Sequence, residues 1–184
     1  TGRGRFVDSS TARLAVYQDG GVGDAILLLH GGPGVPDYLG DVAAMLSSTH
    51  RVIRFDQRGT GQSLCRSGTY ALQDSVDDVE AIRAALGLDR VSLFGHSWGG
   101  TVAQLYASAH PGRLSRLCLC NSSVGVGEDW RIMERAVLAY NRRQSGFVGF
   151  AALGMSQIWM LLPGSLGDQG AQRVMARAWR NYFH

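Results

Sequence analysis

The sequence predicts an α/β protein, a mostly parallel sheet with helices on both faces. Three observations carry that prediction. Apolar strand-like runs alternate with amphipathic helical stretches between residues 25 and 121. Three of these runs end directly in glycine-rich loops, at 30–34, 56–63 and 95–100. All three loops therefore fall at the carboxyl ends of strands, the edge where open parallel sheets place their sites.

The elements follow in order. Residues 5–8 and 12–18 read as two short strands around the Ser9-Ser10-Thr11 turn, with alternation at Leu14 and Val16. Ala25-Ile26-Leu27-Leu28-Leu29 is continuously apolar, as expected of a strand covered on both faces. It runs into His30-Gly31-Gly32-Pro33-Gly34. Residues 38–48 suit a helix with Leu39, Val42, Ala43 and Leu46 on one face. Arg51–Phe55 is the next strand and enters Asp56-Gln57-Arg58-Gly59-Thr60-Gly61-Gln62-Ser63. Residues 74–86 form an amphipathic helix with Val76, Val79, Ile82 and Leu86 on its stripe. Asp77, Asp78 and Glu80 lie near its start, where the macrodipole favours anions, and Gly87 is a natural stop.

Val91 to Phe94 is the strand before Gly95-His96-Ser97-Trp98-Gly99. A helical pattern follows at once and ends at Pro111-Gly112. A serine between strand and helix in Gly-x-Ser-x-Gly has the context of a nucleophile elbow. Its backbone is expected at positive φ, with Ser97 lifted out of the sheet and the helix N-terminus offering N–H groups to an anion. Leu114, Leu117 and Leu119 belong to a further strand reaching Asn121, expected to be buried, with Cys118 and Cys120 as small apolar residues on one face.

After residue 125 the character changes, so the chain divides into a core at 1–125 and a helical cap or lid at 126–184. Residues 128–144 are helical and arginine-rich, 147–162 largely apolar, and 168–183 helical again. The apolar stretch is too short and interrupted to span a membrane, which takes about 20 residues. It reads first as a core helix of the appendage. The sharper reading is a lid presenting Phe147, Phe150, Met155, Trp159 and Met160 to an apolar substrate.

Composition excludes several classes. A chain of 184 residues with 45% hydrophobic side chains can build a sizeable core. Every one of its 18 basic residues is arginine, scattered without a phosphate-binding stripe, which argues against a nucleic-acid partner. Its three cysteines suggest neither a disulfide framework nor a metal site, and no cofactor is called for. No apolar segment follows the N-terminal arginines, so the default is a soluble cytoplasmic protein away from membranes.

His-Gly-Gly-Pro-Gly at 30–34, Asp-Gln-Arg-Gly-x-Gly-x-Ser at 56–63 and Gly-x-Ser-Trp-Gly at 95–99 occur here in one order and spacing. Together they resemble the α/β-hydrolase superfamily, and within it the proline iminopeptidase-like branch, over residues 5–125. The resemblance implies the α/β-hydrolase fold, with Ser97 as nucleophile. It implies an oxyanion hole from the backbone N–H of Trp98 and of one glycine of the Gly31–Gly32 pair, Gly32 first. The 56–63 loop reads as scaffolding, with Asp56 and Arg58 holding the neighbouring glycine loop. His96 and Gly100 depart from the branch's Gly-Gly-Ser-Trp-Gly-Ser wording and bring it nearer to esterases. The branch's Trp-Glu pair for a substrate amine is absent, leaving Glu128, Asp129 and Glu134 as candidates by location. Trp159, Phe147 and Glu128 are the candidate substrate-pocket residues.

A serine needs a base, and the base an orienting acid. In this superfamily both follow the nucleophile in the chain. His30, His50, His96, His110 and His184 are each poorly placed for the role; His96 should project away from its neighbour. Asn121 is no acid, and Asp129 is only loosely placed. The chain thus reads as the N-terminal two-thirds of a hydrolase, with C-terminal strands, acid and histidine on a missing segment or a second chain. An exposed apolar sheet edge should result. The substrate expected is a small peptide or ester. Peptides with N-terminal proline come first, then small esters or lactones, with a non-catalytic scaffold as rival. Epoxide hydrolase and dehalogenase chemistry is disfavoured, since those enzymes need a carboxylate at position 97.

Overall fold

The computed structural model describes residues 3–32, 34–122 and 127–160. The chain divides into two units, Thr1–Gly125 and Val126–His184.

The first unit carries strands β1 (Arg3–Asp8), β2 (Ala12–Asp19), β3 (Ala25–Leu29), β4 (Arg51–Phe55), β5 (Leu64–Cys65), β6 (Val91–His96) and β7 (Leu114–Cys120). Its helices are α1 (Gly40–Leu46), α2 (Leu72–Ala85) and α3 (Trp98–Ala109). The strand order is β1-β2-β4-β3-β6-β7, with the two-residue β5 pairing β2. β4, β3, β6 and β7 are mutually parallel, while β1, β2 and β5 run antiparallel to their neighbours.

Alternation along β3 explains the layering. Leu27 and Leu29 face one side, packing with Ile53, Phe55, Leu93 and the stripes of α2 (Val76, Val79, Ile82) and α3 (Val102, Ala103, Tyr106). Leu28 faces the other side with Val52, Leu39 and Ala43 beneath α1. Successive residues of a strand point to opposite faces, so an unbroken apolar run is what a sheet covered on both sides requires.

Helix boundaries follow local capping. α1 starts only at Gly40 because the Asp37 carboxylate accepts the Leu39 N–H at 3.0 Å and holds that residue outside the helix. α2 begins at Leu72, two residues before the predicted start, because Asp74 reaches back to the Ala71 N–H at 3.2 Å.

β7 differs from expectation. It lies at the end of the sheet, and its central residues are exposed, Leu117 at 38% and Leu119 at 43%. Cys118 is exposed as well, so the cysteines of this strand are not buried core residues. An apolar groove of about 520 Å³ opens beside it, lined by Val42, Leu46, Phe94, Leu117 and Cys118 among others.

In the second unit, α4 spans Glu128–Met160 and is broken at Gly146, whose φ of 61° and ψ of −179° are not helical. Phe147 is 82% exposed and Met155 66%, so these two residues do not form the core proposed for this stretch. The side chains of Phe150, Trp159 and Met160, and the predicted helix at 168–183, lie outside the described residues. Among those described, no helix is long and apolar enough to cross a membrane.

Candidate active site

Parallel register brings the loops together. Leu29, the last residue of β3, pairs with Gly95 of β6, and His96 pairs with Cys120 of β7. The 30–34 loop and the Ser97 turn therefore emerge side by side at one sheet edge.

Ser97 sits between β6 and α3 with φ 53° and ψ −119°. This left-handed φ is strained for a residue with a Cβ. Two backbone bonds hold it there: the Ser97 N–H donates to Cys120 O at 3.1 Å, and Ser97 O accepts from the Gly100 N–H at 2.9 Å. Close approach makes two glycines obligatory. A Cβ at Gly99 would lie 2.2 Å from Leu29 O and 2.6 Å from His30 O. A Cβ at Gly31 would lie 2.8 Å from the Ser97 Cβ and 2.6 Å from the Tyr38 hydroxyl. The first glycine lets α3 pack on the end of β3; the second lets the loop press against the serine.

The backbone groups expected to serve an oxyanion are placed as follows. Trp98 is the first residue of α3, so its N–H has no acceptor four residues back within the helix. Gly32 takes a positive φ of 69° at the turn of the loop. The Gly31 N–H is engaged, donating to Tyr38 Oη at 2.7 Å. A cavity of about 310 Å³ lies between Gly34, the Gln57–Thr60 stretch, Tyr70 and Trp98.

The 56–63 loop holds the glycine loop through Gln57, which sequence reasoning passed over. The Gln57 side chain donates to His30 O at 2.7 Å, and the Gln57 N–H donates to His30 Nε2 at 3.2 Å. With Nε2 accepting, the fully buried His30 carries its proton on Nδ1 and donates to Gly31 O at 3.0 Å. Asp56 acts at the loop's flanks, accepting from the Asp37 N–H at 2.9 Å, the Gln62 N–H at 3.0 Å and Tyr17 Oη at 2.8 Å. Burial, followed by that carboxylate, pushes the Tyr17 hydroxyl up to about 12. Arg58 turns the other way: its guanidinium forks onto Asp78 of α2, at 2.8 Å to each oxygen. The expected hold of Arg58 on the glycine loop is thus replaced by a brace between the 56–63 loop and α2.

The remaining histidines are accounted for in place. His96 Nδ1 bonds the Tyr38 hydroxyl, His50 pairs with Thr49 Oγ1 before β4, and His110 ends α3 against the Tyr106 ring. His184 lies outside the described residues. Among the described residues no group of three or more His, Cys, Asp and Glu could hold a metal ion. In the second unit Glu128 faces solvent and pairs with Arg131 and Arg135 of its own helix at 3.5 Å each.

Comparison with known proteins fits this arrangement. The sequence model of the alpha/beta hydrolase fold matches residues 24–180. A proline iminopeptidase of Xylella fastidiosa is 38% identical over 104 residues, which cover 53% of this chain and 32% of that protein. Among solved structures, a hydrolase from Pseudomonas aeruginosa PA01 aligns with a TM-score of 0.64 and 28% identity, over 97% of this chain and 66% of its own. The proline iminopeptidase of Mycobacterium smegmatis aligns with a TM-score of 0.68 over 97% of this chain and 68% of its own; at 21% identity it shares the fold. The chain spans about a third of the length of the curated relatives it matches.

Proposed function

We infer the function from one premise: this chain belongs to the α/β-hydrolase family. Ser97 is the nucleophile of a serine hydrolase, and its strained position between β6 and α3, pressed by Gly31, is the observation that carries the reading. Its Oγ attacks a carbonyl carbon while a base takes the hydroxyl proton. The carbonyl oxygen becomes an oxyanion held by the N–H groups of Trp98 and Gly32. The carbon–leaving-group bond then breaks, the base returns its proton to the departing amine or alcohol, and water releases the acyl group from Ser97. Losing one such donor typically costs about 3 kcal/mol of transition-state stabilisation.

We assign the base and its orienting acid to residues other than those described, on a further segment or a second chain. The reason is that each described histidine already has another engagement. These 184 residues alone should therefore turn over little substrate. The helical second unit is assigned as the lid segment, on which the exposed Phe147 and Glu128 are candidates for apolar contact and for a free amine.

The preferred substrate is a peptide or amide with an N-terminal proline, following the name of the Xylella fastidiosa relative. A second reading, a small-ester or lactone hydrolase, is favoured by His96 and Gly100 around the nucleophile. The complete polypeptide should be labelled by a fluorophosphonate probe and should hydrolyse a proline arylamide, and Ser97→Ala should abolish both. Turnover of aryl esters alone would select the second reading. Failure of the probe to label Ser97 would leave a non-catalytic scaffold.

A further inference from the structure

We propose that Tyr38 and His96 are a positioning pair that fixes the 30–34 loop against the Ser97 turn. The Tyr38 ring stands edge-on to the histidines of both loops, 5.9 Å from His30 and 5.7 Å from His96 between ring centroids. Its hydroxyl accepts the Gly31 N–H at 2.7 Å and meets His96 Nδ1 at 2.5 Å. The direction of the second bond follows from the first. An Oη that accepts from Gly31 still has its own proton to place, and Nδ1 of His96 is the acceptor it meets. His96 then carries its proton on Nε2. The residue before the nucleophile is thereby tied through one hydroxyl to the glycine that abuts the Ser97 Cβ.

Tyr38 is itself held from below. Asp37 bonds Arg54 and gives its N–H to Asp56, and Leu39 is buried under α1. A backbone pinned on both sides carries a ring that is half exposed at the sheet edge. One consequence concerns the oxyanion hole. By engaging the Gly31 N–H, Tyr38 removes it as a donor and leaves the role to Gly32, so the pair selects the donor as well as placing it. Donors act only within a few tenths of an ångström of the developing charge, and a shift of about 1 Å can cost about a hundredfold in rate.

This inference rests on the assignment of Ser97 as nucleophile. In the complete polypeptide, Tyr38→Phe and His96→Leu should each lower kcat about ten- to a hundredfold, with KM within about twofold. His96→Asn keeps an acceptor at the position of Nδ1 for the Tyr38 proton and should recover kcat to within about threefold of wild type. The double variant Tyr38→Phe/His96→Leu should be no slower than the slower single variant, because the two act as a unit. Selectively labelled glycine and histidine give an NMR readout that needs no turnover: Tyr38→Phe should shift the Gly31 and Gly32 amides, and wild-type His96 should be protonated at Nε2. Multiplicative rate losses, an unchanged kcat in Tyr38→Phe, or unmoved Gly31 and Gly32 amides would each overturn the pair. Retained turnover in Ser97→Ala would instead overturn the nucleophile assignment, while the amide shifts still decide whether Tyr38 holds the loop.

Discussion

Arg58→Met tests the brace between the 56–63 loop and α2. The Arg58 side chain is 3% exposed and that of Asp78 2%. Arg58 gives two bonds of 2.8 Å to the Asp78 carboxylate, one of 2.8 Å to Asp74 O and one of 3.1 Å to Thr11 Oγ1. Methionine fills much of the volume and removes all of these donors, leaving Asp78 buried beside an unpaired acceptor. Breaking a buried pair on one side costs about 3–5 kcal/mol. Against a total of about 5–15 kcal/mol for a domain, that is a large fraction. At a urea m-value of about 2 kcal/mol/M it lowers the unfolding midpoint by about 1.5–2.5 M, read by far-UV circular dichroism. The pH dependence gives a second signature. Burial already pushes the Asp78 carboxyl up, and the Arg58 fork opposes it. Without Arg58 the folded-state value rises further above the unfolded one. The folded variant then binds the proton more readily than the unfolded chain. Its deficit should shrink at low pH and reach its full size as pH rises through the folded value. Arg58→Met/Asp78→Leu, with no charge left to strand, should recover most of the loss. A single-variant loss below about 1 kcal/mol, or a deficit that grows on acidification, would refute the brace.

Three further outcomes follow from the same structure. Gly99→Ala sets a Cβ against backbone atoms of Leu29 and His30, which cannot swing aside, so a loss of at least about 1–3 kcal/mol should appear as a lowered Tm. Glu80 is held at about 2, chiefly by its bonds from Arg83 and then Tyr106, so its stabilisation is present above the usual 4.5 and is lost as pH falls through about 2; Glu80→Gln should flatten that acid limb in a pH series of thermal melts. Leu117→Arg with Leu119→Glu should reduce self-association through the β7 edge, measured by light scattering at rising concentration, whereas unchanged association would place the contact elsewhere.

Much of the fold was legible because burial on both faces writes itself into composition. β3 and β6 read as apolar runs, β4 as a strand carrying Val52, Ile53 and Phe55, and the helical stripes of α2 and α3 are the residues that reach the core. The misreadings share a physical origin in contacts that carry no local pattern. β7 has the composition of a central strand, and only its place in the sheet order exposes it. β5 consists of two residues and has no period to detect. Arg58 stands in a glycine loop, yet its partner Asp78 is 20 residues away on a helix. Gln57 lies between two charged residues that drew attention, though its amide makes the link to His30. Tyr38 carried no signal at all, since a tyrosine near a helix start is ordinary until Gly31 and His96 are seen to converge on its hydroxyl.

The serine itself was legible for a stronger reason than its motif. A residue with a Cβ at φ 53° costs about 1–3 kcal/mol, and such a conformation persists only where its surroundings over-determine it. Here they do so from three directions. β7 takes the Ser97 N–H, the first turn of α3 takes its carbonyl, and Gly31 fills the space beside its Cβ. Each of those contacts constrains a neighbour as well: Gly99 can have no side chain, Gly31 none, and the loop that bears Gly31 is clamped by His30 to Gln57. A sheet needs none of this to be stable, because a plain strand-to-helix turn would satisfy the same backbone groups without strain. Those contacts offset the cost and set the serine between β6 and α3, where the loop bearing Gly31 meets it. On the function proposed for Ser97, electrostatic preparation would be built from backbone and is separable from the side chains that transfer the proton.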